Sequence, residues 1–185
     1  MKQVEALLHF LKVLNSLRVP YMVTGAYAVS YYGMPRTTHD LDIVIAISVK
    51  DIDGLCRGLK KTCEIDREMV ENAVRFRTHF SLFYPKGELK ADLWVLKDKP
   101  AENTKFERKQ KISLFGVQTF IISPEDMVLT KLEWYKRSKN TKHMDDAVGI
   151  IKVQDKRLDM TYIRSMIGKL GIEKHWKQAI GSSKL

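Results

Sequence analysis

The stretch VTGAYAVSYYGMPRTTHDLDIVIAI, Val23 to Ile47, decides how this chain is read. Its first residues complete a short apolar strand, YMVT (21–24), that stops at Gly25. AYAVSYYG then reads as a short helix closed by Gly33, and Met34-Pro35 marks a turn. LDIVIAI follows, β-branched and apolar on both faces, which predicts a central strand covered on both sides. Asp40 and Asp42 open that strand and point to the same face, because strand side chains alternate. Two carboxylates about 7 Å apart repel each other and resist burial. A cation is therefore expected between them, and a divalent metal is the natural one, since hard Mg²⁺ takes a few carboxylates, phosphate oxygens and water. The plain alternative is a solvated strand start, or pairing of both aspartates to Arg36. The Asp-x-Asp pattern by itself does not choose.

The preceding residues favour the chemical reading. A strand that ends at glycine and opens a helix presents free backbone N–H groups, which bind phosphate oxygens. Gly25 admits a bulky anion closely, and Arg36 and Thr38 stand ready for phosphate contacts. A third acid, Asp92, lies alone in the apolar run LKADLWVL. Beside Asp40 and Asp42 it makes a third metal ligand, and it can accept the proton of an attacking hydroxyl.

Outward from this stretch, Val4, Leu7, Leu8, Leu11, Leu14 and Leu17 keep helical spacing, so 2–17 reads as an amphipathic helix. Ser48 caps a helix over about 49–61. VRFRTHFSLFY alternates as a strand, PKGE turns, and LKADLWVL returns, forming a hairpin. KISLF and VQTFII form another strand pair about Gly116. Ser123-Pro124-Glu125-Asp126 is a strong helix start, and 124–180 reads as three or four helices. The fold class is therefore α/β of the α+β kind: a mixed sheet flanked by helices over 1–122, then a helical C-terminal region over 123–185.

The chain has 185 residues and a net charge of +10. Residues 1–92 carry 13 basic and 11 acidic side chains and residues 93–185 carry 19 and 11, so the excess sits in the second half. Such a surface is either solubilising or attractive to polyanions such as nucleic acid. No apolar run approaches the roughly 18 residues needed to span a bilayer. The first residues lack the pattern of a signal peptide, so a cytoplasmic location with no membrane partner is expected. Cys56 and Cys63 lack metal or redox spacing and read as inert thiols.

Val-Thr-Gly-Ala, the spacer, Asp-Leu-Asp-Ile and a later strand aspartate resemble the nucleotidyltransferase (polymerase-beta-like) superfamily. The string G(x)₂A(x)₄G(x)₂R(x)T(x)D(x)D, from Gly25 to Asp42, is similar to small prokaryotic nucleotidyltransferases related to abortive-infection toxins. The segment SPEDMVLTKLEWYKRSKNTKHMDDAVGII fits their later part. The resemblance implies that Gly25 and Ala26 hold the triphosphate through backbone N–H groups. It implies that Asp40, Asp42 and Asp92 bind the catalytic Mg²⁺ or Mn²⁺ ions. Lys131 would reach the nucleotide or its phosphates, and Asp145 would order the lysine or the acceptor side. The implied activity transfers a nucleoside monophosphate from an NTP to an acceptor hydroxyl, with RNA or a tRNA end favoured by the basic half and a protein or small molecule as other acceptors. Toxin membership would add a cognate antitoxin as partner. Ala26 departs from the usual Gly or Ser, which leaves open an inactive nucleotide- or RNA-binding module on the same fold.

The remaining candidates read as structural. Tyr27, Tyr31 and Tyr32 are expected to pack, with base stacking as the alternative. His39 is expected to be a neighbour of Asp40 and not a ligand. Trp94, Trp134 and Trp176 are expected to be packing residues.

Overall fold

The computed structural model describes residues 2–38, 40–60, 63–84 and 90–183. The turn expected at 85–88 and His39 lie outside the described residues. The chain forms two compact units, Met1–Ala26 with Thr37–Ile122, and Tyr27–Arg36 with Ser123–Leu185.

The first unit is built on strands β1 (Tyr21–Thr24), β2 (Asp40–Ile45), β3 (His79–Phe83), β4 (Lys90–Val95), β5 (Gln110–Leu114) and β6 (Val117–Ile121). They make one mixed sheet in the order β3-β4-β2-β1-β6-β5. β2 runs parallel to β4 and antiparallel to β1, and β1 runs parallel to β6. Leu41, Ile43, Ile45, Ala91, Leu93 and Val95 are buried on one face. The opposite face of β2 and β4 is only half-covered, with Asp40 exposed. This corrects the expectation of a strand covered on both sides: Val44 lies on the open face, and only the odd-numbered residues enter the core.

Helix α1 (Lys2–Ser16) contributes Leu7, Phe10, Leu11 and Leu14 to that core. After Ser48 the chain makes a 3₁₀ turn, Val49–Asp51, before the helix proper, α3 (Ile52–Leu59). Helix α4 (Arg67–Phe76) replaces the first part of the strand expected at 74–84. Asp66 caps it by accepting from Glu68 N–H at 2.9 Å, Val70, Ala73 and Val74 are buried at helical spacing, and Arg77 closes it at φ 51°. The alternation read from Val74 onward begins on the last turn of this helix, so only His79–Phe83 is strand. Helix α5 (Pro100–Glu107) was not expected: of its apolar residues only Phe106 is deeply buried, so there is no stripe to betray it. Phe115 (φ 47°) and Gly116 (φ 79°) turn β5 into β6.

Helix α2 (Gly25–Tyr32) begins in the first unit and continues into the second. The second unit adds α6 (Pro124–Ser138), α7 (Thr141–Gln154), α8 (Met160–Leu170) and α9 (Glu173–Ser183). Its core holds Val29, Val128, Leu132, Ile150 and Ile163. Gly33 lies so near α7 that a Cβ would stand 2.9 Å from Ile150 N. Ser123 caps α6 by accepting from Asp126 N–H at 3.1 Å. Asp126 in turn accepts from Tyr162 Oη–H at 2.6 Å, and Glu125 accepts from Asp159 N–H at 2.9 Å. The acids that start α6 thus also fasten α8. Among the described residues no helix is long and apolar enough to cross a membrane.

Candidate active site

Strand register assembles one polar row across the open face of the sheet. Thr24 pairs with Asp42, Asp42 with Asp92, and Asp92 with Ser81, across four neighbouring strands. Paired positions on neighbouring strands project to the same side. Asp40, two residues before Asp42, pairs with Lys90. Asp40, Asp42 and Asp92 therefore share a face, with Asp42 and Asp92 directly side by side.

The cation expected beside the aspartates is present, but it is Lys90. Its Nζ donates to Asp92 Oδ2 at 2.8 Å. The other carboxylate oxygen of Asp92 accepts from Ser81 Oγ–H at 2.5 Å. The Lys90 ammonium is held above its ordinary pKa, first by the hydrogen bond it donates to Asp92 and then by the charges of Asp92, Asp40 and Asp42, against some desolvation. One ammonium thus feels all three carboxylates. With Asp92 committed to Lys90 and Ser81, no group of three His, Cys, Asp or Glu side chains among the described residues is placed to hold a metal ion. The donor chemistry still fits a hard divalent ion, because the three groups are carboxylates, hard oxygen ligands that project from one face.

Gly25 closes this site from the side of β1. Its φ is 63°, the left-handed region, and a Cβ there would sit 2.0 Å from Asp42 Oδ2. The glycine is needed for the turn and for the space that the Asp42 carboxylate fills. Ala26 is buried. Thr38 Oγ1 accepts from Asp40 N–H at 3.2 Å, which fixes the backbone at the start of β2.

In the second unit, the expected residues Arg36 and Lys131 meet at Asp146, an aspartate the sequence suggested for an ion pair with Lys142 or a helix cap. Asp146 accepts from Arg36 Nε at 3.2 Å and from Lys131 Nζ at 2.7 Å. Asp146 and Lys131 are 5% and 9% exposed at their side chains. Arg36 is thus bound to Asp146, which answers the alternative that it pairs with both Asp40 and Asp42. Asp145, expected to order the lysine or the acceptor side, is exposed, and the carboxylate that holds the lysine is that of Asp146. The helical wheel carried the signal: Asp146 lies four residues before Ile150 on the buried side, whereas Asp145 shares its side with exposed Lys152. Asp146→Asn is expected to destabilise the fold by on the order of 3 kcal/mol, because it leaves a buried ammonium without its counter-charge. Asp145→Asn should stay within about 0.5 kcal/mol. Urea unfolding of the two variants checks the contrast.

His143 borders this cluster. Burial pushes its pKa down, as do Lys131, Lys142 and Arg36, with Asp146 opposing. His175 is lowered too, by burial and then by Lys139, Lys174 and Lys136. Both imidazoles are thus held neutral in the fold. The unfolded chain binds protons more readily, so their stabilising contribution is complete above about pH 6.5 and is lost on acidification below it. The urea midpoint should fall between neutral pH and pH 5, and His143→Gln with His175→Gln should shrink that fall.

No protein-family model and no curated protein matches this sequence. Solved structures do match the fold. An antigenic nucleotidyltransferase-like protein from Paracoccidioides brasiliensis superposes at TM-score 0.60, with 16% identity over 98% of this chain and 93% of that one. ANT(2")-Ia in complex with adenylyl-2"-tobramycin superposes at TM-score 0.62, with 12% identity over 92% and 97% of the two chains. A lincosamide antibiotic adenylyltransferase with lincomycin bound superposes at TM-score 0.52, with 11% identity over 81% and 97%. The mixed sheet followed by a helical region gives this chain the fold of these nucleotidyltransferase structures.

Proposed function

We propose that this chain is a metal-dependent nucleotidyltransferase that moves a nucleoside monophosphate from an NTP to an acceptor hydroxyl. The observation that carries the reading is the single Lys90 ammonium under the charge of Asp40, Asp42 and Asp92, beside the Gly25 turn. Three carboxylates gathered on one face carry more negative charge than one ammonium offsets, and such an excess suits the binding of further cations.

The backbone N–H groups at the start of α2, from Gly25 and Ala26, hold phosphate oxygens. Ala26 keeps this donation while lacking a hydroxyl. Asp40, Asp42 and Asp92 would hold Mg²⁺ or Mn²⁺, which supplies charge neutralisation of the phosphates when bound. Asp92, held by Lys90 and Ser81 in this structure, would be the ligand nearest the acceptor when an ion is bound. It orients the acceptor hydroxyl and takes its proton on a carboxylate oxygen. The acceptor oxygen forms a bond to the α-phosphorus, the bond from that phosphorus to the bridging oxygen breaks, and pyrophosphate leaves with the electron pair. In the second unit, Arg36 and Lys131 share one carboxylate, so their cluster keeps a net positive charge, the sign a phosphate contact requires.

RNA is the favoured acceptor, because a chain of net charge +10 attracts a polyanion. A small-molecule acceptor is the second reading, supported by neighbours bound to adenylyl-2"-tobramycin and to lincomycin. The protein's charge repels a polycationic aminoglycoside, which places RNA first. The test is incubation with each labelled NTP, Mg²⁺ or Mn²⁺, and in turn total RNA, tobramycin and lincomycin. Label on RNA supports the reading, label on a drug selects the second, and nucleotide binding without transfer identifies an inert module.

A further inference from the structure

We propose that the C-terminal half of α6, the start of α7 and the start of α9 form a docking surface for single-stranded RNA, with Trp134 as a stacking platform and Lys136, Lys139, Lys142 and Lys174 as phosphate contacts. The proposal rests on RNA as the acceptor of the reaction above and names the surface that holds it.

Trp134 was expected to pack, and only half of it does. It is 50% exposed, with its ring 5.7 Å from that of His143. Residues 136–142 are all exposed. From Lys131 to His143 the sequence has five Lys or Arg and one acid, Glu133, which lies 3.6 Å from Arg137. One helical step round α6, Tyr135 meets His175 edge-on at 5.4 Å. Lys136, Lys139 and Lys174 all act on that imidazole, while Glu173 is the exposed acid that opens α9. Among the described residues none of these three lysines is ion-paired: Lys136 donates to Leu170 O at 3.1 Å, and Lys139 Nζ stands 5.9 Å from the Tyr135 ring centre.

A surface whose cations outnumber its acids and whose tryptophan is half exposed suits a partner that supplies both phosphates and bases. Acidic protein surfaces offer no stacking faces, and duplex nucleic acid keeps its bases stacked on each other. Single-stranded RNA offers both at once, and stacking tolerates any base. Lys139 also occupies the left-handed position that ends α6, at φ 56°, where glycine is cheaper. A cation is kept there at the helix C-terminus, in the middle of the patch.

The test is fluorescence anisotropy of the full chain with a labelled oligouridylate of about 12 nucleotides, titrated from about 50 to 200 mM KCl. Trp134→Ala should weaken binding about 5- to 150-fold while leaving the salt slope unchanged. Lys139→Gln with Lys174→Gln should make the log–log salt slope shallower by about 1.4, at about 0.7 per phosphate contact in a single strand. Lys152→Gln, at an exposed lysine outside the patch, should bind as the wild type does. The proposal is overturned if the wild type does not bind, if the patch variants bind like it, or if duplex RNA of equal length binds as tightly. Patch variants that bind like wild type while RNA is still labelled would remove the docking surface and leave the transferase reading standing. Patch-dependent binding without transfer from any NTP would do the reverse.

Discussion

Asp42→Ala is expected to lower nucleotide transfer by about 10³-fold or more, the scale seen when a member of a catalytic group acting as a unit is removed. It should do so without unfolding the protein. Asp42 lies on the half-covered face of β2, between Thr24 and Asp92, and the core residues Leu41 and Ile43 point the other way. Removing one of three like charges also relieves repulsion with Asp40 and Asp92. Asp42→Asn should therefore be as stable as the wild type, or more so by about 0.5–2 kcal/mol, the usual trade between a site and its scaffold. A labelled-NTP assay and a urea titration on one preparation measure both effects. Lost transfer with lost stability would mark Asp42 as structural, and unimpaired transfer would remove the site.

Gly25→Ala carries the second large effect, and here activity and fold should fall together. Alanine at φ 63° costs about 1–2 kcal/mol. Its Cβ would also stand 2.0 Å from Asp42 Oδ2, so the carboxylate must move or the turn must open. Displacement of a reacting group by about 1 Å costs on the order of 10²-fold in rate. The expected variant folds with reduced stability and transfers at about a hundredth of the wild-type rate. Pairing it with Asp42→Gly, which vacates the space, should restore stability in part and activity not at all. If Gly25→Ala alone is silent in both assays, the close fit of the turn and the carboxylate is not what holds the site.

Local chemistry was legible where it is written in neighbouring residues. Ser123-Pro124-Glu125-Asp126 announces a helix because its cap, its proline and its acids act within one turn, and Phe115-Gly116 announces a hairpin for the same reason. Helix α4 was misread because Val74–Thr78 alternates like a strand, and only the Asp66 cap and Val70 upstream reveal the helical period. Trp134 was expected to pack, yet helix α6 leaves half of it exposed.

The sequence by itself determined that Asp40 and Asp42 share a face, since a period of two holds in any register, and that a glycine turn precedes them. It also determined the excess of positive charge in the second half. Only the tertiary structure decided that β4 lies beside β2 with Asp92 opposite Asp42, that Lys90 is the cation in the row, and that Asp146 rather than Asp145 holds Arg36 and Lys131. The physical reason is range: alternation, caps and turns act over a few bonds. Strand pairing and the choice of a helix's buried side instead depend on which distant apolar surfaces meet, and no residue carries that by itself.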